Sequence, residues 1–130
     1  MEPTLPNDNQ SPTADIPILD ATRLATLRNV TGENGRPFLF EFVELFETDA
    51  TERIAGLRAA IAGGTLPQLS KQAHPLKGSC RNVGAARMAA ECQALEQSGE
   101  EVQADEAERI LARIESSYLE VRDAIRQLVE

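Results

Sequence analysis

The sequence is poor in large rings and in positive charge. It has no tryptophan, one tyrosine and four phenylalanines in 130 residues, so any core it builds is mostly aliphatic. Lysine and arginine number 13 against 21 aspartates and glutamates, a formal net charge of −8. Such a chain lacks the basic footprint that nucleic-acid phosphates require, and it is equally ill suited to anionic membranes. No apolar run approaches the roughly 20 residues that span a bilayer. The start, MEPTLPNDNQSPTADIP, carries neither the basic cluster nor the apolar stretch of a signal peptide. The two cysteines, Cys80 and Cys92, sit within helix-like sequence and not in a disulfide-type framework. Together these absences predict a cytoplasmic protein with two reduced thiols in its core.

What is present is helical periodicity. The length suits one domain with one core. Residues 1–17 are rich in Pro, Asn, Asp, Ser and Thr and read as a disordered leader; residues 18–130 read as the folded part. A short helix is expected from an Asp20 N-cap to about Val30, followed by a turn cluster at 31–36. A second helix starts near Pro37, with Leu39, Val43, Phe46, Ala50, Ile54, Leu57 and Ile61 as its apolar stripe, and stops at Gly63 and Gly64. A third starts near Thr65 or Leu66, with Leu69, Ala73, Leu76, Cys80 and Val83 inward, and ends at Gly84. A fourth follows at once through Ala85, Met88, Ala89, Cys92 and Leu95. The last runs from about Ala104 to Leu128, with Ala107, Ile110, Leu111, Ile114, Tyr118, Val121, Ile125 and Leu128 inward. No stretch alternates with period two. The predicted fold is all-α: an antiparallel four-helix bundle, with the short first helix capping one end.

One helix face stands out. His74 is the only histidine, and the only two lysines, Lys71 and Lys77, lie three residues to either side of it. His74, Lys77, Gly78 and Arg81 share a face offset from the apolar seam. From Gln68 to Ala90 there are four positive residues, Arg87 being the last, and no acid. Gly78 costs a helix roughly 1 kcal/mol against alanine, which suggests that bulk is unwelcome there. An exposed imidazole flanked by cations suits phosphoryl transfer: neutral histidine is a nucleophile, and positioned cations stabilise the charge on the moving group. A metal site is not expected, because there is no second histidine and no acid within one turn of His74. No serine has an acid–base partner that would make a hydrolase triad.

Ala73-His74, Leu76-Lys77-Gly78-Ser79, Asn82-Val83-Gly84-Ala85, Met88, Cys92 and Leu95-Glu96 resemble the pattern of the histidine phosphotransfer (HPt) family of multistep phosphorelays. Phe42 through Phe46 and Ile54-Ala55-Gly56-Leu57 resemble its second helix, so the likeness covers about residues 18–128. The resemblance implies a four-helix bundle with His74 as phosphoacceptor, Lys77 as its electrostatic partner and Gly78 as the clearance residue. It implies a carrier that accepts phosphate from a receiver-domain aspartate of a hybrid histidine kinase or response regulator and passes it to another receiver. No autonomous turnover and no cofactor are implied; the receiver would bind the magnesium ion.

Pro75 departs from ordinary helix chemistry. It removes a backbone donor, leaves the Lys71 carbonyl unpaired and tends to kink the helix. A phosphorylation-independent adaptor that binds a kinase or regulator is the alternative function, and Pro75 is its only support. The partner is expected to dock over His74 on Lys71, Arg81 and apolar side chains left outside the bundle. Phe38, Phe42 and Leu45 form a second apolar face on the second helix. Phe42 is expected to pack under the first helix, leaving Phe38, with Ile18 or Leu19, for the partner. The chain is expected to be monomeric.

Overall fold

The computed structural model describes residues 13–28, 38–98 and 102–129. Its helices are α1 (Ala21–Arg28), α2 (Phe38–Ala62), α3 (Leu69–Val83), α4 (Ala86–Ser98) and α5 (Ala104–Val129), with a 3₁₀ turn at Leu66–Gln68 before α3. No strand occurs among the described residues. The four longer helices pack as α2 on α3, α3 on α4, α4 on α5 and α5 back on α2. Their stripes meet in one core. All five expected residues of α3 are buried, as are Ala85, Met88, Ala89, Cys92 and Leu95, and seven of α5 from Ala107 to Ile125. On α2, Val43, Phe46, Ala50, Ile54 and Leu57 are buried, and Ile61 packs against them half-buried. Phe46 meets Tyr118 across the bundle, ring centroids 6.0 Å apart.

The α3–α4 hairpin positions the site. Gly84 caps α3 at φ +80°, a left-handed conformation that costs glycine least. A Cβ there would also lie 3.1 Å from Arg23 Cβ, because α1 packs across this end. Asp20 caps α1 as expected: its Oδ1 accepts from the Thr22 and Arg23 amides, at 2.9 and 3.3 Å. The Asp20 amide in turn donates to the Gly84 carbonyl at 2.6 Å. The start of α3 differs from expectation. Thr65 makes no side-chain cap, its hydroxyl donating to Ala60 O at 3.2 Å instead, and the chain enters α3 through the 3₁₀ turn. α3 then runs unbroken through Pro75.

Part of the segment that composition reads as a leader is held against the bundle. Residues 1–12 lie outside the described residues, but from Thr13 the chain is fastened to α4. Arg87 Nε donates to Ile16 O at 2.7 Å, and its Nη2 to Ala14 O at 3.1 Å. The Arg87 amide donates to Pro17 O at 3.0 Å. Thr13 Oγ1 donates to the buried Glu91 carboxylate at 2.8 Å. Polar composition marks a segment that cannot fold on its own contacts, and here α4 supplies the partners.

Candidate functional site: an exposed imidazole and a shared carboxylate

His74 sits on the outer ridge of α3, its side chain 67% exposed. Residues on one flank of that ridge face α4 and those on the other face α2. From α4, Glu96 reaches back to the ridge. Its Oε2 lies 2.7 Å from His74 Nδ1, and its Oε1 accepts from Lys77 Nζ at 2.5 Å. An ionised carboxylate can only accept, so Nδ1 carries the proton and the neutral ring's lone pair is on Nε2. Among the described residues nothing bonds to Nε2. The hydrogen bonds from Lys77 and then from His74 hold the Glu96 carboxyl below its ordinary pKa. The Ser70 hydroxyl donates to the Glu96 carbonyl at 2.8 Å, which ties the same residue to α3 a second time.

The sequence-predicted residues divide into those the fold assembles and those it disperses. His74 and Lys77 are together, but Glu96 joins them. The Lys77 side chain is only 13% exposed, lying against the carboxylate and not standing free in solvent. Gly78 is exposed, and a Cβ built on it would meet nothing within 4 Å. Packing among the described residues therefore does not explain the missing side chain. Lys71 is exposed; Arg81 is exposed and donates to Gln93 Oε1 at 3.2 Å. Arg87 leaves the basic stripe, its guanidinium turned to the segment before α1. The Phe38 side chain lies outside the described residues. Ile18 and Leu19 pack half-buried against the core, so neither is left over as a contact in the way the sequence suggested.

On the α2 flank, Phe42 is half-buried against the core, whereas Leu45 is 70% exposed. Leu45, Phe42, Asp49, Ser79 and Asn82 line a groove of about 280 Å³. Ser79 Oγ donates to Asp49 Oδ2 at 2.5 Å, and Asp49 Oδ1 accepts from Arg53 Nε at 2.9 Å, pinning α3 to α2 beside the histidine. Beneath the ridge the two thiols are buried and free. Contact with the Cys92 thiol, together with burial, pushes the Cys80 thiol well above its ordinary pKa, as suits core residues.

Glu96 is the member of this cluster that sequence reasoning passed over: it stood in the family pattern without a role. It is 22 residues from His74. The available signal was the hairpin itself. Folding the two helices about Gly84 sets residues at similar distances on either side opposite each other, and His74 lies ten before it and Glu96 twelve after.

Comparison with known proteins bears on the family and the fold. The model of the Hpt domain matches residues 41–130. The chain is similar to the crystal structure of histidine-containing phosphotransfer protein B (HptB) from Pseudomonas aeruginosa PAO1. The two are 30% identical with a TM-score of 0.77, over 88% of this chain and 96% of that one. It shares its fold with histidine-containing phosphotransfer protein MtHPt2 from Medicago truncatula, at 18% identity and a TM-score of 0.71, over 95% of this chain and 96% of the other. No curated protein sequence matches. The family match and the shared bundle lead to one conclusion: the chain belongs to the Hpt domain family, whose role is histidine phosphotransfer in phosphorelays.

Proposed function

We propose that His74 is the phosphoacceptor of a phosphorelay intermediate that takes its phosphoryl group from the aspartate of one receiver domain and delivers it to another. The observation that carries this reading is the pairing of an exposed, unbonded Nε2 with a Nδ1 held by Glu96. In the forward step the Nε2 lone pair attacks phosphorus. The N–P bond forms as the P–O bond to aspartate breaks, and that electron pair leaves on the aspartate carboxylate. The ring becomes cationic, with its Nδ1 proton facing the Glu96 carboxylate, which stabilises the developing charge. Lys77 starts on Glu96 Oε1 and has only to swing outward to meet a phosphoryl oxygen. Return of the phosphoryl group to a second aspartate reverses each step.

The proposed partners are receiver domains of a hybrid histidine kinase or of response regulators, met by a monomer in the cytoplasm. Among the described residues no helix is long and apolar enough to cross a membrane. The test is incubation of wild type and His74→Gln with phosphorylated receiver domains, reading label and helicity together. Acid-labile, base-stable label on the wild type and none on a folded His74→Gln is the expected result. Persisting label on the variant removes His74 from its role, and tight binding without label on either chain favours the adaptor.

A further inference from the structure

Phosphoryl transfer needs the reacting atoms about 3–3.5 Å apart and in line. Whatever receiver acts on His74 must therefore cover the residues one turn to either side of it. That span includes Lys71 and, next to the histidine itself, Pro75 on the α2 flank, Gly78 on the ridge, and Lys77 on the α4 flank. Gly78 offers space, and Lys77 is held by Glu96. The α2 flank offers a third feature. Pro75 has no N–H, so the Lys71 carbonyl has no donor four residues on, although α3 continues through both. Among the described residues no hydrogen bond from outside the helix reaches that carbonyl. Lys71 is exposed, and Pro75 lines a crevice of about 470 Å³ with Lys71, Gln72 and, from α2, Asp49, Glu52 and Arg53.

We infer that Pro75 is a specificity determinant: it presents the Lys71 carbonyl, one turn from His74, as an acceptor that a cognate receiver fills with a hydrogen-bond donor of its own. This rests on the proposed role of His74 and names what the partner must bring to it. The physical reason is an asymmetry. A free carbonyl is satisfied by water in the unbound protein. A receiver that covers it without offering a donor strips that water and leaves a buried acceptor unpaired, whereas a receiver with a backbone N–H, hydroxyl or amide at that point loses nothing. The acceptor thus rejects partners more strongly than it attracts them. It touches the receiver and not the phosphorus, so its effect falls on complex formation.

The full chain and its Pro75→Ala and Pro75→Val variants test this against at least two phosphorylated receiver domains that label the wild type. Both variants restore the amide that bonds the Lys71 carbonyl; valine also keeps apolar bulk. The ratio of kcat/KM between the preferred and the second receiver should fall about fivefold, the scale of one neutral hydrogen bond. The change should lie in KM, chiefly as a lower KM for the second receiver that the unpaired carbonyl had penalised, at unchanged kcat and equally in both variants. Thermal melts establish that the variants are folded. An unchanged ratio overturns the inference while leaving His74 as phosphoacceptor. So does a Pro75→Val variant that keeps the wild-type preference, since the ring and not the carbonyl would then be read. Absence of label on the wild type from every receiver overturns the phosphoacceptor reading and this inference with it.

Discussion

Glu96 Oε2 stands 2.7 Å from His74 Nδ1, on a carboxylate whose other oxygen is held by Lys77. One acid from the returning helix thus fixes the tautomer of His74 and holds the Lys77 cation beside it. Glu96→Gln keeps an acceptor for Nδ1–H and removes the charge that favours the imidazolium. Phosphoryl acceptance should slow by about tenfold, less than the loss from deleting a donor in an enclosed site, because this one is open to water. The same contact predicts an acid dependence. The folded pKa of Glu96 is depressed, so its stabilisation is present above the ordinary glutamate range and is lost as pH falls through the folded value. Melting temperature against pH should show a shallower acid limb in Glu96→Gln than in wild type. Identical limbs, with identical transfer rates, would deprive the carboxylate of both roles.

Lys77→Ala should impair transfer more than Lys71→Ala. Lys77 reaches the histidine cluster through Glu96, whereas no ion pair among the described residues holds Lys71. Lys77→Ala should lower the rate on the order of tenfold, and Lys71→Ala should act, if at all, through receiver binding. Single-turnover rates measured across receiver concentration separate the two. Equal effects on the limiting rate would refute the distinction.

The helical frame was legible because period 3.6 dominates this sequence: the five inward residues assigned to α3 are all buried. Lys77 and Gly78 were legible because they sit within one turn of His74. Glu96 was not, since it becomes a neighbour only when Gly84 turns the chain back. The contacts of the segment from Thr13 to Pro17 were not legible for a related reason: their partners, Arg87 and Glu91, lie more than seventy residues away. The exposure of Leu45 also depended on tertiary context. A second apolar face on α2 was visible, but which of its members the core absorbs is settled by how α1 and α3 lie against it.

Leu45 is accordingly the better docking candidate among the described residues of that face. It is 70% exposed at the mouth of the groove beside Ser79 and Asn82. Leu45→Ala should leave the melting temperature nearly unchanged, as surface substitutions do. It should weaken receiver binding by about 1 kcal/mol or more if the side chain is an interface anchor. Phe42→Ala supplies the contrast: it should lower stability, because Phe42 packs against the core. Calorimetric binding to a receiver domain with unchanged affinity for Leu45→Ala would remove this face from the interface.

Glu91 is 3% exposed, and while its Oε2 accepts from Thr13, its Oε1 has no hydrogen-bond partner among the described residues. Burial raises its carboxyl pKa, opposed by the hydroxyls of Ser117 and Thr13 and by the charges of Arg87 and Arg113. The sign of the linkage follows. A carboxyl with a raised folded pKa contributes stability that is fully present below the ordinary glutamate range and is lost as pH rises through the folded value. At neutral pH the ionised form is the costly one. Glu91→Gln should therefore raise the melting temperature at neutral pH, and the gain should shrink toward zero as acid protonates the wild type. Thr13→Val should act in the opposite direction, since it strips the carboxylate of a hydrogen bond, at a cost of about 1–3 kcal/mol. Melting curves across pH for the three chains decide the matter. A Glu91→Gln variant less stable than wild type at neutral pH would mean that Arg87 and Arg113 outweigh burial, and that this contact is an ion-pair cluster holding the segment before α1 in place.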